Sequence, residues 1–542
     1  MPRRFGTMGP FLEPNTIFGR VQANEGFIET LLTLDPFDEY VFFLDRPKSS
    51  PNLFADHSWP AITRGAIRIE PTQAIPTEIA DKDYYCFHFP DPLTDQTRLA
   101  VMRNRLSQEI FPITSVPHTL SYTCFSHEFL FEIWPGVSPR DVICATSKAA
   151  IDVISAYFAA LRKRYALPKT WGQPGLKRIP LGVDTKRFHI PTPQEKEDAR
   201  KHFALTPDEL VCLAHGRISV DDKMDLLPLL YAIARAQKDS EQRIHLIVSG
   251  KIRENDNYPK VLEKSAQSLK IPLSLKVTPS NEELSLLYKA ADVFVSPSDN
   301  LQETFGLTVL EAGASGLPVI ASDWDGYRDL LVSGETGYLI PTMGPDKTPY
   351  LNALVPIIPD NIHQLLRAQQ TALDVPALAA ALTRLSNENL RRAMGEKARD
   401  HVMRHFSWEQ SISRWLALLN ELWSIPIDAK KHAELKAAEH PAYLDYAEIF
   451  RTYPSQTFSR DLLIVQSRRG KNVLLQKEPA VLWPNLDICL KSLDIRKFLT
   501  LARRPICAGA LIERLGCSKE TGQFAVLWAL KHDLLEICAE KK

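Results

Sequence analysis

Two rhythms of apolar residues alternate along most of the chain. In the first ~190 residues, YVFFLD, YYCFHF (84–89), PITSV (112–116) and DVICAT (141–146) are short apolar runs that read as buried strands. Between them, EGFIETLLTL and KAAIDVISAYFAAL repeat apolar residues every three or four positions, as amphipathic helices do. Strand–helix alternation predicts βαβ units and a parallel sheet. This block closes with KRIPLGVDTKRF, a short strand and a turn.

A second alternating block begins near Leu210. Its expected strands are ELVCLAHGR (209–217), RIHLIVSGK (243–251), LSLKVTPS (273–280), DVFVSPSD (292–299) and LPVIASD (317–323). MDLLPLLYAIARAQ and NEELSLLYKAAD are its helices. The pattern predicts an α/β protein of two doubly wound halves in tandem. Such sheets bind ligands beyond the C-terminal ends of their strands, so two facing halves create one cleft.

Residues 341–374, starting PTMGPDKTPYLNALVPIIPD, are proline-rich and weakly periodic, and read as an insertion. Helices resume at DVPALAAALTRLSNENLRRAMGEKARDHVMRHF, and SWEQSISRWLALLNELW (407–423) is another, carrying three tryptophans. KKHAELKAAEH is a charged linker or exposed helix. DLLIVQSRRGKNVLLQ (461–476) reads as a hairpin around a glycine turn. Three helical patterns and a closing strand follow, an α+β, winged-helix-like module. The domain reading is 1–188, completed by 407–425; 189–406 with the insertion; and 426–542 as linker and module.

At 542 residues the chain exceeds a single core. Its formal net charge of +0 gives no global field toward nucleic acid or anionic membrane. No run reaches the ~18 apolar residues of a membrane helix, and MPRRFGTMGPFLEP lacks the apolar core of a signal peptide. The expected address is cytoplasmic. The 8 cysteines form no C-x-x-C pair and read as buried, reduced thiols.

The chemistry concentrates in ETFGLTVLE (303–311). Glu303 precedes a helix and Glu311 lies two turns inside it, on the order of 10 Å apart along one wall. The helix N-terminus between them offers free N–H groups and the positive end of a dipole. A ligand with a hydroxyl-bearing ring at each end and phosphate between would suit it, and a nucleotide sugar has that layout. In HGRISVDDKMD, Arg217 and Lys223 flank the start of a helix and can neutralise a diphosphate. The competing reading pairs them with Asp221 and Asp222.

HGRISVDDKMDLL, VSG (248–250), NEELSLLYKAADVFVSPS, QETFGLTVLEAGASGLPVIASDWDGYRDLL and GETGYLIPT together resemble the retaining glycosyltransferases of family 4, which have the GT-B fold. SVPHTLSY, DVICATS and IPLGVDTKRF resemble it more loosely. The resemblance covers roughly residues 1–425. It implies that Glu311 binds the nucleotide ribose and that Glu303 contacts the donor sugar near the reacting carbon. It implies that the N–H groups of Phe305, Gly306, Leu307 and Thr308 cradle sugar hydroxyls and the distal phosphate. Arg217 and Lys223 would hold the diphosphate, and His118 would face the donor sugar. Gly19, in FGRVQ, would stand beside the phosphates.

The implied reaction is metal-independent transfer from a UDP- or GDP-linked sugar, with no cofactor, to an unidentified acceptor. The D-x-D triplet occurs twice, at Asp81–Asp83 and Asp323–Asp325, and is common by chance; Asp323 and Asp325 read as structural or as polar lining of the cleft. A sugar-nucleotide epimerase on the same fold, and a nucleic-acid- or peptide-binding role for the C-terminal module, are the alternatives. Nucleic acid is the weaker of these, because Arg468, Arg469, Lys471, Arg503 and Arg504 also fit a solvated surface. Peripheral attachment at the inner membrane face stays open, as does oligomeric state.

Overall fold

The computed structural model describes residues 3–9, 11–12, 19–45, 54, 57–91, 94–240, 242–254, 256–480, 483, 486–490 and 493–538 of the chain. Two compact units divide it, Met1–Pro441 and Ala442–Lys542.

The first unit contains two parallel sheets. Strands β1 (Arg4–Met8), β2 (Glu39–Leu44), β3 (Ile67–Pro71), β4 (Cys86–Phe89), β5 (Ile113–Ser115), β6 (Asp141–Ala145) and β7 (Gly175–Arg178) form the first. Their spatial order is β3-β2-β1-β4-β5-β6-β7. The second contains β8 (Leu210–His215), β9 (Ile244–Gly250), β10 (Leu273–Val277), β11 (Val293–Ser296), β12 (Val319–Ser322) and β13 (Gly337–Ile340), ordered β10-β9-β8-β11-β12-β13. Central strands such as β4, β11 and β12 are buried throughout, because helices cover both faces. Strand order reverses between β1 and β4 and again between β8 and β11. A crevice opens at each reversal, beyond the strand ends.

The Trp408–Ser424 helix returns to the first sheet. Ser407 caps it by accepting from the Gln410 N–H, and Trp408, Ile412, Trp415, Leu419 and Leu422 form its buried stripe. Trp415 meets Phe5, Phe27 and Phe37 edge-on, and its indole N–H donates to Thr114 Oγ1 at 3.2 Å. A late segment therefore supplies part of the first sheet's core.

Several expectations need correction. Of the two readings of the charged stretch, the exposed helix is the one that occurs: Ala429–Ala437 is helical and buries Leu435, and beyond it the His440 ring donates to the Phe131 carbonyl. The 461–476 stretch is not a hairpin. β14 (Leu463–Gln466) leads into the Arg468–Leu474 helix, which Ser467 caps, because that cap favours a helix over a turn. β14 pairs instead with β15 (Ile506–Cys507) and β16 (Leu535–Ile537), both antiparallel. With the helices Ile495–Leu501, Ala508–Leu515 and Lys519–Lys531, this sheet makes the second unit. The insertion is ordered too, with helices Pro349–Leu354 and Asp360–Ala368 and a small antiparallel pair, Thr342–Met343 with Ala372–Leu373. Of the cysteines, Cys86, Cys144 and Cys212 are buried, whereas Cys124, Cys489 and Cys507 are exposed.

Within the N-terminal stretch, Met1, Pro2, Pro10, Glu13 and Pro14 lie outside the described residues, as does Phe18 of the FGRVQ turn. Arg4–Met8 is a strand. No helix of the described residues is long and apolar enough to cross a membrane.

Candidate active site

A cavity of about 420 Å³ lies where the two reversal crevices face each other. Gly19 and Arg20, after β1, and His118 and Tyr122, after β5, form one wall. Gly216, Arg217 and Lys223, after β8, and residues 302–308, after β11, form the other. The halves already touch beside it. Thr304 Oγ1 donates to the His118 carbonyl at 2.9 Å, and Thr146 Oγ1 donates to the Thr304 carbonyl at 3.2 Å.

Glu303 is the electrostatic centre of this cavity. Lys223 Nζ donates to its Oε2, the Tyr327 hydroxyl donates to the same oxygen at 3.1 Å, and the Phe305 N–H reaches Oε1 at 3.4 Å. Burial opposes the charge on Glu303. The ammonium of Lys223, with the two smaller donors, outweighs burial and holds the carboxyl below its ordinary range. Glu303 is therefore ionised at neutral pH. Tyr327 is also joined to Ser296 through hydroxyls 2.7 Å apart, which fixes its ring.

The Leu307–Ala314 helix starts at this point, with Phe305, Gly306, Leu307 and Thr308 all on the cavity wall. Its first-turn N–H groups have no intrahelical acceptor. Gly306 enters the helix at φ 110°, and a Cβ there would stand 2.4 Å from the Tyr327 ring. Only glycine lets the backbone pass so close to the ring that positions Glu303. The Thr308 hydroxyl is buried without a hydrogen-bond partner.

Glu311 does not line the cavity. It is buried, and its Oε2 accepts from the Tyr288 hydroxyl at 2.8 Å. Burial raises its pKa, and the Tyr288 bond offsets this only in part. The pKa values of the two glutamates are thus shifted in opposite directions, eight residues apart.

His118 does line the cavity. Its Nε2–H donates to Asn24 Oδ1 at 3.0 Å, and burial, with the charge of Arg20, lowers its pKa to about 4. It is a neutral imidazole at physiological pH. Gly19 is the first residue of the Gly19–Leu34 helix, and a Cβ there would meet no atom of the described residues within 4 Å.

For Arg217 the competing pairing occurs. Its guanidinium donates to Asp222 Oδ2 at 2.8 Å and to Gln302 Oε1 at 3.1 Å, although it still borders the cavity. Lys223 escapes that pairing by reaching Glu303. Asp323 and Asp325 are not lining residues. Asp323 pairs with Arg328, and Asp325 sits at φ 42° with burial pushing its pKa to about 7. Among the described residues, no group of three or more His, Cys, Asp or Glu side chains is placed to hold a metal ion.

Sequence reasoning missed Tyr327 and Tyr288, the hydroxyls that hold the two glutamates. Nothing in DWDGYRDLL or LSLLYKA separates a functional tyrosine from a core aromatic, and only the partner 24 or 23 positions away reveals it. The sequence left open whether the insertion shapes acceptor binding, and in the fold its Asp360–Ala368 helix reaches the cleft.

Comparison with known proteins agrees with this arrangement. Residues 195–348 match the family described as glycosyl transferases group 1. A D-inositol 3-phosphate glycosyltransferase of Corynebacterium urealyticum is 30% identical over 265 residues, which is 48% of this chain and 53% of that protein. The enzyme of the same name from Stackebrandtia nassauensis is 36% identical over 186 residues, 33% of this chain and 40% of that protein. The chain thus spans about half, or less, of the length of these curated relatives. Among solved structures, sucrose-phosphate synthase from Thermosynechococcus elongatus superposes with a TM-score of 0.51 at 19% identity, covering 78% of this chain and 99% of that one. A glycosyltransferase from Rickettsia africae gives 0.52 at 15% identity, covering 78% and 100%. Anabaena HepE, solved in complex with UDP and glucose, gives 0.51 at 13% identity, covering 77% and 100%. At such identities the structural likeness is one of fold, the two-sheet GT-B architecture. Residues 195–348, which hold Arg217, Lys223 and the Glu303–Glu311 stretch, thus resemble the glycosyl transferases group 1 family, and the Met1–Pro441 unit has the GT-B fold.

Proposed function

We propose that the protein transfers a sugar from a nucleotide-diphosphate sugar to an acceptor, with retention of anomeric configuration. One observation carries this reading: an ionised Glu303, held by Lys223 at the open N-terminus of the Leu307–Ala314 helix, inside a cavity shared by both sheets. Lys223, Arg217 and the helix N-terminus together offer the positive field that a departing diphosphate requires. Glu303 is placed to accept from the donor sugar's hydroxyls. His118, neutral, offers hydrogen bonding without a charge that would oppose a cationic sugar. Glu311 lies behind this wall, so a part for it at the ribose end requires its bond to Tyr288 to open as the donor enters.

In the transfer, the bond between the anomeric carbon and the phosphate oxygen breaks, and the nucleoside diphosphate leaves with the electron pair. The acceptor's hydroxyl oxygen bonds to the same face of that carbon, and its proton passes to the leaving phosphate oxygen. Lys223 and Arg217, each now paired with a carboxylate, would turn to the diphosphate as it departs and take the place of a divalent ion, so turnover should survive EDTA. The relatives' names make an inositol phosphate the first acceptor to assay. Peripheral association with a membrane surface is compatible with this reading.

The test is a thermal-shift screen against UDP-, GDP-, ADP- and dTDP-sugars. At 100 times the dissociation constant, a bound donor adds about 2.7 kcal/mol of stability. A shift with none of the four would overturn the proposal. Incubating the preferred donor without acceptor separates transfer from epimerisation, since only an epimerase returns an altered sugar.

A further inference from the structure

The Lys223 ammonium and the Glu303 carboxylate meet across two different loops. Lys223 lies in the turn between β8 and the Leu227–Ser240 helix. Glu303 lies in the loop from β11 to the Leu307–Ala314 helix. Lysine carries its charge on a flexible stem, so the pair keeps one separation only if the two backbones are tied together.

Asn300 is bonded to both loops. It is fully buried, and its Nδ2 donates to the Asp221 carbonyl at 2.9 Å, two residues before Lys223. Its Oδ1 accepts from the Gln302 N–H at 2.9 Å, and its carbonyl accepts from the Glu303 N–H at 3.4 Å. The Trp324 indole N–H donates to the same carbonyl at 3.1 Å. Ser298, also fully buried, adds a second tie: its Oγ donates to the Lys223 carbonyl at 3.2 Å. The Ser298 carbonyl accepts from Ser322 Oγ at 2.5 Å, and Ser322 ends β12, so the brace is anchored in the second sheet.

An asparagine that only turned its own loop would use Oδ1 alone, the atom that bonds two residues on. Nδ2 instead spans 79 positions of sequence to reach the Lys223 turn. Neither Asn300 nor Ser298 borders the donor cavity, so an effect of either on a bound donor passes through the residues they hold.

We infer that Asn300, seconded by Ser298, is a positioning residue for the transfer reaction: it sets the separation of Lys223 and Glu303 by holding the loops of both. The inference rests on the glycosyltransfer reading for its consequence in donor binding, and on these hydrogen bonds alone for the positioning.

Asn300→Ser separates the two side-chain bonds. A serine hydroxyl can still accept from the Gln302 N–H but is too short to reach the Asp221 carbonyl. Asn300→Ala loses both, and Ser298→Ala drops only the second tie, which keeps the comparison open if the Asn300 variants fail to fold. In the full-length protein at pH 8, Lys223→Met is made alone and on each of these backgrounds, and urea midpoints are read by tryptophan fluorescence. Residues that act through one another are not additive, so the fall in midpoint caused by Lys223→Met should shrink by about half or more on either Asn300 background, and by less on Ser298→Ala. Equal falls on every background would overturn the inference. The same cycle is run on affinity, by calorimetric titration with the nucleoside diphosphate selected by the thermal-shift screen. Asn300→Ser should weaken binding by about fivefold or more, and Lys223→Met should then cost less than it does in wild type. An unchanged affinity in Asn300→Ser, or losses that simply multiply, would also overturn it. A wild type that binds no nucleoside diphosphate would strike the glycosyltransfer reading instead, and the urea midpoints would still decide whether Asn300 positions the pair.

Discussion

Deleting the Lys223 ammonium isolates the interaction on which the donor site depends. The side chains of Lys223 and Glu303 are 14% and 11% exposed, so Lys223→Met leaves a carboxylate stranded in a poorly solvated position. Losing one partner of a buried pair costs about 3–5 kcal/mol. Tyr327 and the Phe305 N–H still reach Glu303, and the carboxyl can take up a proton, so we place the loss at about 3 kcal/mol at pH 8. The pH dependence gives the sign. In wild type the lowered carboxyl pKa contributes stability that is present above its unfolded value and is lost as pH falls through the folded value. In Lys223→Met, burial acts without the ammonium and raises the carboxyl, so the deficit grows from pH 5 to pH 8. Lys223→Met/Glu303→Gln removes both charges and should recover all but about 1 kcal/mol. Urea midpoints by tryptophan fluorescence at the two pH values read these differences. Turnover tells the other half: both single variants and the double should fall by at least ~100-fold. A double variant as unstable as Lys223→Met, or a Lys223→Met deficit equal at both pH values, would refute the reasoning.

Three further outcomes are expected. Tyr327→Phe removes a hydrogen bond to a charged group, worth about 1.5–3 kcal/mol, and should lower kcat by roughly 10- to 100-fold with nucleotide Kd unchanged; an unaltered kcat would remove Tyr327 from the site. Trp415→Ala should destabilise the Met1–Pro441 unit by about 3–5 kcal/mol, read as a lower urea midpoint, because the indole fills the first sheet's core. Asp325 is raised to about 7 chiefly by burial, so its ionisation costs the fold stability as pH rises from about 4 to 7. Asp325→Asn should match wild type in thermal midpoint near pH 4 and exceed it at pH 8; a gap that does not widen with pH would contradict this assignment.

Apolar runs bounded by glycine, proline or polar residues were enough to read most of the second sheet, whereas β1 and β3 of the first went unread because RFGTM and IRIEP mix charged or polar residues among their apolar ones. The site was legible where it is local in sequence: ETFGLTVLE, with its glycine at the helix start, announces an anion-binding wall. It was illegible where partners are distant. HGRISVDDKMD sets two cations among three carboxylates around its turn, and only the folded chain shows Arg217 taking Asp222 while Lys223 takes Glu303. Residues 341–374 were opaque for another reason. Proline breaks their periodicity, but proline also opens helices, as at Pro349 in the Pro349–Leu354 helix. The Arg468–Leu474 helix was misjudged because Gly470 suggested a turn, whereas it permits close packing against the Leu534 carbonyl.

The returning Trp408–Ser424 helix also bears on how the chain is made. When β7 leaves the ribosome, every strand of the first sheet has been synthesised, yet the patch over Phe5 and Phe37 lies bare. About 230 more residues must be added before Trp408 emerges, roughly ten to fifty seconds at 5–20 residues per second. For that interval the nascent protein carries an uncovered aromatic surface while its second sheet is still being produced. Chaperone engagement during translation should therefore peak between the completion of β7 and the arrival of the tryptophans.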